Sequence, residues 1–139
     1  MTMALSAPLQ RALFERLSTA PELAALNGRI FDDAPHRAAG VEGVFITLGD
    51  ERVAPWNTAT EIGAAHDAEI RVHGSVRGFL PVKEIAAVVA ALIEANPPTP
   101  ERGAIVTHEF TGARTRREEQ GAGRRIDLTF RFVIEDNQD

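Results

Sequence analysis

The chain has no cysteine, no long apolar run and no excess of positive charge, and each absence excludes a class of protein. Without thiols there can be no disulfide framework and no thiolate metal site. The longest apolar run, residues 85–93, is far shorter than the roughly 20 residues that a membrane-spanning helix needs. A net charge of -5 is a poor match to nucleic acid, whose phosphates require clustered lysine and arginine.

Length and composition indicate one globular domain, spanning residues 1–139. Apolar residues make up 44% of the chain and charged residues 25%, which is typical of a folded protein. The first ten residues have neither a basic start nor a continuous apolar segment, so no export signal is expected. These features predict a soluble protein made in the cytoplasm.

Apolar periodicity predicts two main helices and about four strands. Leucines at positions 5, 9, 13 and 17 indicate a first amphipathic helix, and residues 81–95 indicate a second. Strands are predicted at residues 44–48, 68–73, 105–110 and 125–135, and residues 29–31 are either a further strand or an extended segment. The clearest alternation is in the last strand, where five side chains share one face: Ile126, Leu128, Phe130, Phe132 and Ile134.

The order of these elements favours an α+β fold with an antiparallel or mixed sheet and both helices packed on one face. Loops are predicted at residues 32–43 and 51–65, and Asn27-Gly28 should end a short helical turn with glycine in a left-handed cap. The other sheet face should meet water or a polar partner. It carries Glu69, Arg71, Asp127, Thr129 and Arg131.

No group of residues predicts chemistry. His66-Asp67 with His73 is the nearest approach to a metal site, but the two histidines are seven residues apart and would point to opposite faces of one strand. Asp32-Asp33 is the best acid–base candidate, and is more typical of solvated or capping charge in a turn. We therefore predict no catalytic, cofactor-binding or metal-binding residue, ordinary surface or rim histidines, and no enzyme.

Two features suggest a protein interface. Five arginines surround the tip of the predicted hairpin, namely Arg114, Arg116, Arg117, Arg124 and Arg125, and Trp56 lies in the predicted loop 51–65. Arginine and tryptophan are enriched where proteins meet. The alternative interpretation is that the arginines form a solvated loop that protects strand edges, and that Trp56 only fixes its loop to the core.

The order and local sequence of the elements resemble the tail-terminator, or tail-completion, family of long-tailed phages and gene transfer agents. The similarity covers nearly the whole chain. It includes the leucine-rich first helix with residues 26–32, the strand at 44–49, residues 66–72, the helix at 85–93 and the closing strand at 125–132. One departure is His73-Gly74, where the family usually carries an aromatic residue.

The resemblance implies a homo-oligomer, a hexameric ring on the head-proximal end of the tail tube. Its partners would be the tail tube protein and a head-side neck or connector protein, and DNA would pass through the ring without specific binding. Assembly would take place in the bacterial cytoplasm, with no membrane partner. The alternatives are a neck or connector protein, a tail tube subunit, and a small-ligand-binding α+β domain.

Overall fold

Two α-helices and five strands make up the computed structural model, which describes residues 2–32, 43–58, 62–74, 78–117 and 123–136. Helix α1 spans Ser6–Thr19 and helix α2 spans Leu80–Ala95. Short 3-10 helices cover Thr2–Leu5 and Pro21–Leu26. The strands are β1 (Ile30–Phe31), β2 (Val44–Asn57), β3 (Ile62–Gly74), β4 (Ala104–Arg117) and β5 (Arg124–Glu135).

The strands form one mixed sheet in the order β1-β2-β3-β5-β4. Strand β1 runs parallel to β2, and all other neighbours are antiparallel. This confirms the predicted α+β class, and the segment at residues 29–31 proves to contain the short fifth strand. Strand β1 pairs only with Ile46 and Thr47, so β2 has no partner along most of its outer edge among the described residues.

The core lies between the helices and one face of the sheet. All five side chains predicted to share a face of β5 are buried there, at 0–4% exposure. Their helix partners recur at helical spacing, with Leu9, Leu13 and Leu17 from α1 and Val82, Val89 and Ile93 from α2. Both helices therefore cover the same face, as predicted. Neither helix of the described chain is long and apolar enough to span a membrane.

The predicted loop at residues 51–65 is wrong over most of its length, because strands occupy all of its described residues except Thr58, and residues 59–61 lie outside the described part of the chain. Strand β2 does not stop at Gly49-Asp50 but continues to Asn57, and β3 already begins at Ile62. The pairing register shifts between Leu48 and Glu51, which makes Gly49-Asp50 a β-bulge inside the strand. Residues 33–42 of the other predicted loop lie outside the described residues.

The first arm of the predicted hairpin is also longer than expected. Strand β4 was predicted to end at Phe110 but continues to Arg117, with register shifts between Ile105 and Thr107 and between Phe110 and Gly112. Three of the arginines assigned to a hairpin tip therefore lie on a paired strand. Residues 118–122 of that tip lie outside the described part of the chain.

The predicted left-handed cap after the short helical turn is confirmed. Asn27 has φ +51° and Gly28 has φ +77°. The Asn27 amide donates to the carbonyl of Ala24, which ends the Pro21–Leu26 helix and turns the chain into β1.

Candidate interaction surface

The arginines near the end of the β4–β5 pair lie on both sides of the sheet. Directly paired residues of antiparallel strands point to the same face, and successive residues alternate. Arg116 pairs with Arg125 and Arg114 pairs with Asp127. Since these positions alternate with the buried side chains of β5, all four face away from the helices. We call this side of the sheet the open face.

The other two arginines lie on the helix side. Arg117 pairs with Arg124, which lies two residues before the buried Ile126 and therefore on the same face of β5. The Arg124 guanidinium lies 5.6 Å from the ring centroid of Phe79, a cation–π contact at the start of α2. Strand alternation thus divides the predicted arginine cluster, so it does not form one basic surface.

Asp127 is the buried centre of the open face, with 4% exposure. The Nε of Arg116 donates to its Oδ2 at 3.0 Å, and Nη2 of Arg125 donates to the same oxygen at 3.2 Å. The Nε of Arg125 lies 2.8 Å from Oδ1, an ion pair outside hydrogen-bond geometry, and the Nε of Arg71 lies 3.8 Å from that oxygen. One carboxylate therefore holds three guanidinium groups in place.

Arg71 links this cluster to the neighbouring strand. It donates to Glu69 at 2.8 Å and lies 3.3 Å from Asp50, whose side chain is highly exposed. Burial alone would lower the pKa of Arg71, but the hydrogen bond to Glu69 and the nearby carboxylates raise it. By contrast, Arg114 and Arg117 make no ion pair within the described residues.

A second charged row crosses the whole open face. The register places four residues side by side on β4, β5, β3 and β2, namely Glu109, Arg131, Asp67 and Arg52. Arg131 donates to both oxygens of Asp67, at 2.9 and 3.3 Å. That hydrogen bond, with the charges of Asp67 and Glu109, raises the pKa of Arg131. Glu109 and Arg52 were missed from the sequence because only the strand register brings them into line.

Trp56 lies near the end of β2, on a paired strand, which corrects its assignment to a loop. It pairs with Gly63 of β3 and is half-buried on the open face. A Cβ at Gly63 would lie 2.4 Å from the carbonyl oxygen of Ile134, so a side chain cannot replace that glycine without moving the backbone. A role for Trp56 in binding stays a prediction.

His66 and His73 point to opposite faces of β3, as predicted, but both are buried, so their assignment as surface or rim residues is wrong. His73 stacks on Phe45 with ring centroids 4.5 Å apart, and its Nε2 lies 2.9 Å from the hydroxyl of Thr47. These contacts give His73 a packing role.

The buried His66 forms a polar cluster with Glu51 and Ser6, which are half-buried. Its Nδ1 lies 3.2 Å from one oxygen of Glu51, while the hydroxyl of Ser6 donates to the other oxygen. Burial alone raises the pKa of Glu51, but these hydrogen bonds outweigh it and lower the pKa. The serine contacts the carboxylate and not the imidazole, so the nucleophile–base contact of a hydrolase is missing from this cluster.

The acid–base candidate Asp32 accepts a hydrogen bond from Gln10 at 2.5 Å, and its neighbour Asp33 lies outside the described residues. Asp32 lies at the rim of an open groove of about 750 Å³ along α1, whose apolar lining includes Met3 and Phe14. Within the described segments no three acidic or histidine side chains come together as metal ligands.

Comparison with known proteins decides the family. A family model described as "Tail completion protein gp17" matches residues 11–135. The chain belongs to the tail completion protein gp17 family. Membership makes it a structural protein of phage-type tails, in agreement with the resemblance drawn from the order of its elements.

Two solved structures share the fold of this family member. A chain in the virion of a native gene transfer agent particle is 35% identical, covers 96% of this chain and 99% of its own length, and superposes with a TM-score of 0.85. The gp17 protein of bacteriophage SPP1 is 18% identical with a TM-score of 0.60 over 100% and 99% of the two chains, a likeness of fold alone. No curated protein matches the sequence.

Proposed function

We propose that this chain is the tail terminator of a phage or gene transfer agent, forming a ring on the head-proximal end of the tail tube. The observation that carries the proposal is its 35% identity, over nearly its whole length, to a protein of a gene transfer agent virion. The family description, tail completion, supports the same step of assembly. The ring would stop tube growth and offer a docking surface to the head and neck.

The physical logic follows from how a tube grows. Each tube ring presents complementary top and bottom faces, so addition never ends by itself. A terminator must match the last tube ring on one side and refuse another on the other side. In the proposed hexamer, six modest contacts made together give high avidity even when each is weak.

The described surfaces fit a binding role better than a chemical one. The open face carries a network of ion pairs across its strands, and Arg114 and Arg117 lack ion-pair partners within the described residues. In this proposal these two arginines, together with Trp56, contact the tube or the neck protein. A net charge of -5 would let DNA pass through the ring without strong binding.

Self-assembly of the purified chain separates the terminator from its nearest rivals. We expect discrete closed rings in electron micrographs and one defined mass by light scattering. Long filaments would instead identify a tube subunit, and binding to the head-side connector without any binding to tube ends would identify a neck protein.

The small-ligand alternative rests on the groove along α1, which is open to solvent. A binding site of that kind should retain a bound metabolite after purification. Mass spectrometry of the denatured protein would detect such a metabolite, and for a tail terminator we expect no bound metabolite.

A further inference from the structure

Both edges of the sheet present strands that lack a partner within the described residues. Strand β4 is 14 residues long and pairs only with β5, and its exposed side chains include the apolar Val106 and Phe110. On the other edge, β1 covers only Ile46 and Thr47, which leaves the second half of β2 unpaired on its outer side. Unpaired strand edges bind further strands unless something blocks them.

The two edges carry opposite charges at the same level of the sheet. The charges of the row that crosses the open face alternate in sign, negative, positive, negative and positive, from Glu109 through Arg131 and Asp67 to Arg52. The two inner residues satisfy each other in a 2.9 Å ion pair. The two outer residues are exposed, and neither makes an ion pair within the described residues.

We propose that the β4 edge of one copy binds the β2 edge of the next copy, with Glu109 of one opposite Arg52 of the other. This contact continues the alternation of charge across the boundary between copies. Opposite charges placed directly across two strands are favourable, whereas like charges there are unfavourable. The row therefore selects both the partner and the register.

Strand direction supports a head-to-tail contact. Strands β2 and β5 run one way and β3 and β4 the other, because all three pairs β2–β3, β3–β5 and β5–β4 are antiparallel. A second copy placed alongside in the same orientation brings its β2 antiparallel to β4 of the first. Since the two edges differ, the contact is heterologous, and such contacts close into rings when the rotation between copies allows it.

Irregularities on both edges restrict this pairing to a short segment. Strand β4 has two bulges, and β2 has one at Gly49-Asp50. Pro55 lacks an amide donor, a common feature of edge strands. Such features protect edges from indiscriminate aggregation, which leaves the charged row as the specific contact. The inference rests on the proposed ring and names the surface that closes it.

Disulfide trapping tests the contact directly, because the chain has no cysteine of its own. The variant carries Arg52→Cys and Glu109→Cys, two exposed positions. Within one copy they lie three strand spacings apart, about 14 Å, too far for a disulfide. Across the proposed contact their Cα atoms would lie about 4.5–5.5 Å apart, within disulfide range.

Mild oxidation of this variant should give a ladder of covalent species in multiples of the 15.1 kDa chain, ending at the closed ring. Either single-cysteine variant can form only dimers. A matched control combines Arg52→Cys with Arg114→Cys, which lies five residues along β4, roughly 15 Å out of register. The control should give no ladder, and circular dichroism should show wild-type folding for every variant.

The outcomes distinguish this inference from the proposed function. Rings without a ladder, or a ladder equally strong in the out-of-register control, overturn the edge contact and leave the terminator proposal standing. A wild-type chain that stays monomeric at high concentration overturns the proposed ring, and the inference with it. As a second measurement, Glu109→Arg should weaken ring assembly at least tenfold, and unchanged assembly would contradict the charged row.

Discussion

Asp127→Asn is the substitution that tests the charged network of the open face most sharply. Asparagine keeps the shape of the side chain but removes the charge that three arginines share. The Asp127 side chain is 5% exposed, whereas the side chains of Arg71, Arg116 and Arg125 are 22–43% exposed. Breaking a fully buried ion pair costs about 3–5 kcal/mol, and an exposed pair contributes about 0–1 kcal/mol.

This site lies between those limits, because the carboxylate is buried while its partners keep some contact with water. We expect the free energy of unfolding to fall by about 2–3 kcal/mol. Urea denaturation followed by circular dichroism measures it, at neutral pH and at one fixed protein concentration, since association adds to apparent stability.

Asp67→Asn is the matched control on the same face. Its ion pair with Arg131 is more exposed, at 24% and 45%, so the loss should stay below about 1 kcal/mol. If the two substitutions lower stability by the same amount, within about 0.5 kcal/mol, then Asp127 is not the buried centre described here.

Three further predictions use the same denaturation assay. Gly103→Ala should lower the free energy of unfolding by about 1–2 kcal/mol more than Gly78→Ala does. Both glycines have positive φ, but only at Gly103 would a Cβ lie 2.7 Å from an isoleucine methyl of β5. Equal losses would contradict this packing. Glu51, whose pKa is lowered because hydrogen bonds outweigh burial, stabilises the fold above its unfolded pKa of about 4.5, and this contribution is lost as the pH falls through the lower folded value. Glu51→Gln should therefore reduce the loss of unfolding free energy between neutral and acid pH. A loss equal to that of the wild type would contradict the stabilising role of the Glu51 carboxylate. Phe132→Ala should lower the free energy of unfolding by about 3–5 kcal/mol and Arg131→Ala by much less, and a reversed order would place the wrong face of β5 in the core.

The parts of the fold that follow from periodicity could be predicted. The alternation on β5 assigned five buried side chains correctly, and the leucine spacing located α1. These patterns are strong because one face of each element is buried against the same core, so burial imposes the period directly on the sequence.

The strand ends could not be predicted, because bulges and turns use the same residues. Gly49-Asp50 and Thr111-Gly112 have the composition of turns, yet both lie inside long strands. Pairing with a neighbouring strand decides between turn and bulge, and that pairing is a property of the whole sheet. The same cause assigned Trp56 to a loop, whereas it lies on β2.

The interaction surface could be predicted only in part. The arginines near the hairpin were found from their number, but their division between two faces depends on register. The row from Glu109 to Arg52 joins residues from four strands, so no local pattern contains it. The contact between Glu51 and the buried His66 was missed because the turn-like residues Gly49-Asp50 concealed that the strand continues through Glu51.

Tube length in the presence of the purified chain tests the central claim most directly. Tail tube subunits from the same particle would be polymerised with and without the chain, and tube lengths and ends measured by electron microscopy. We expect tubes that stop growing once the added chain forms a ring on one end, so that their length is set by the time of addition. Tubes of unchanged length with bare ends, at a concentration where the chain forms rings, would contradict it.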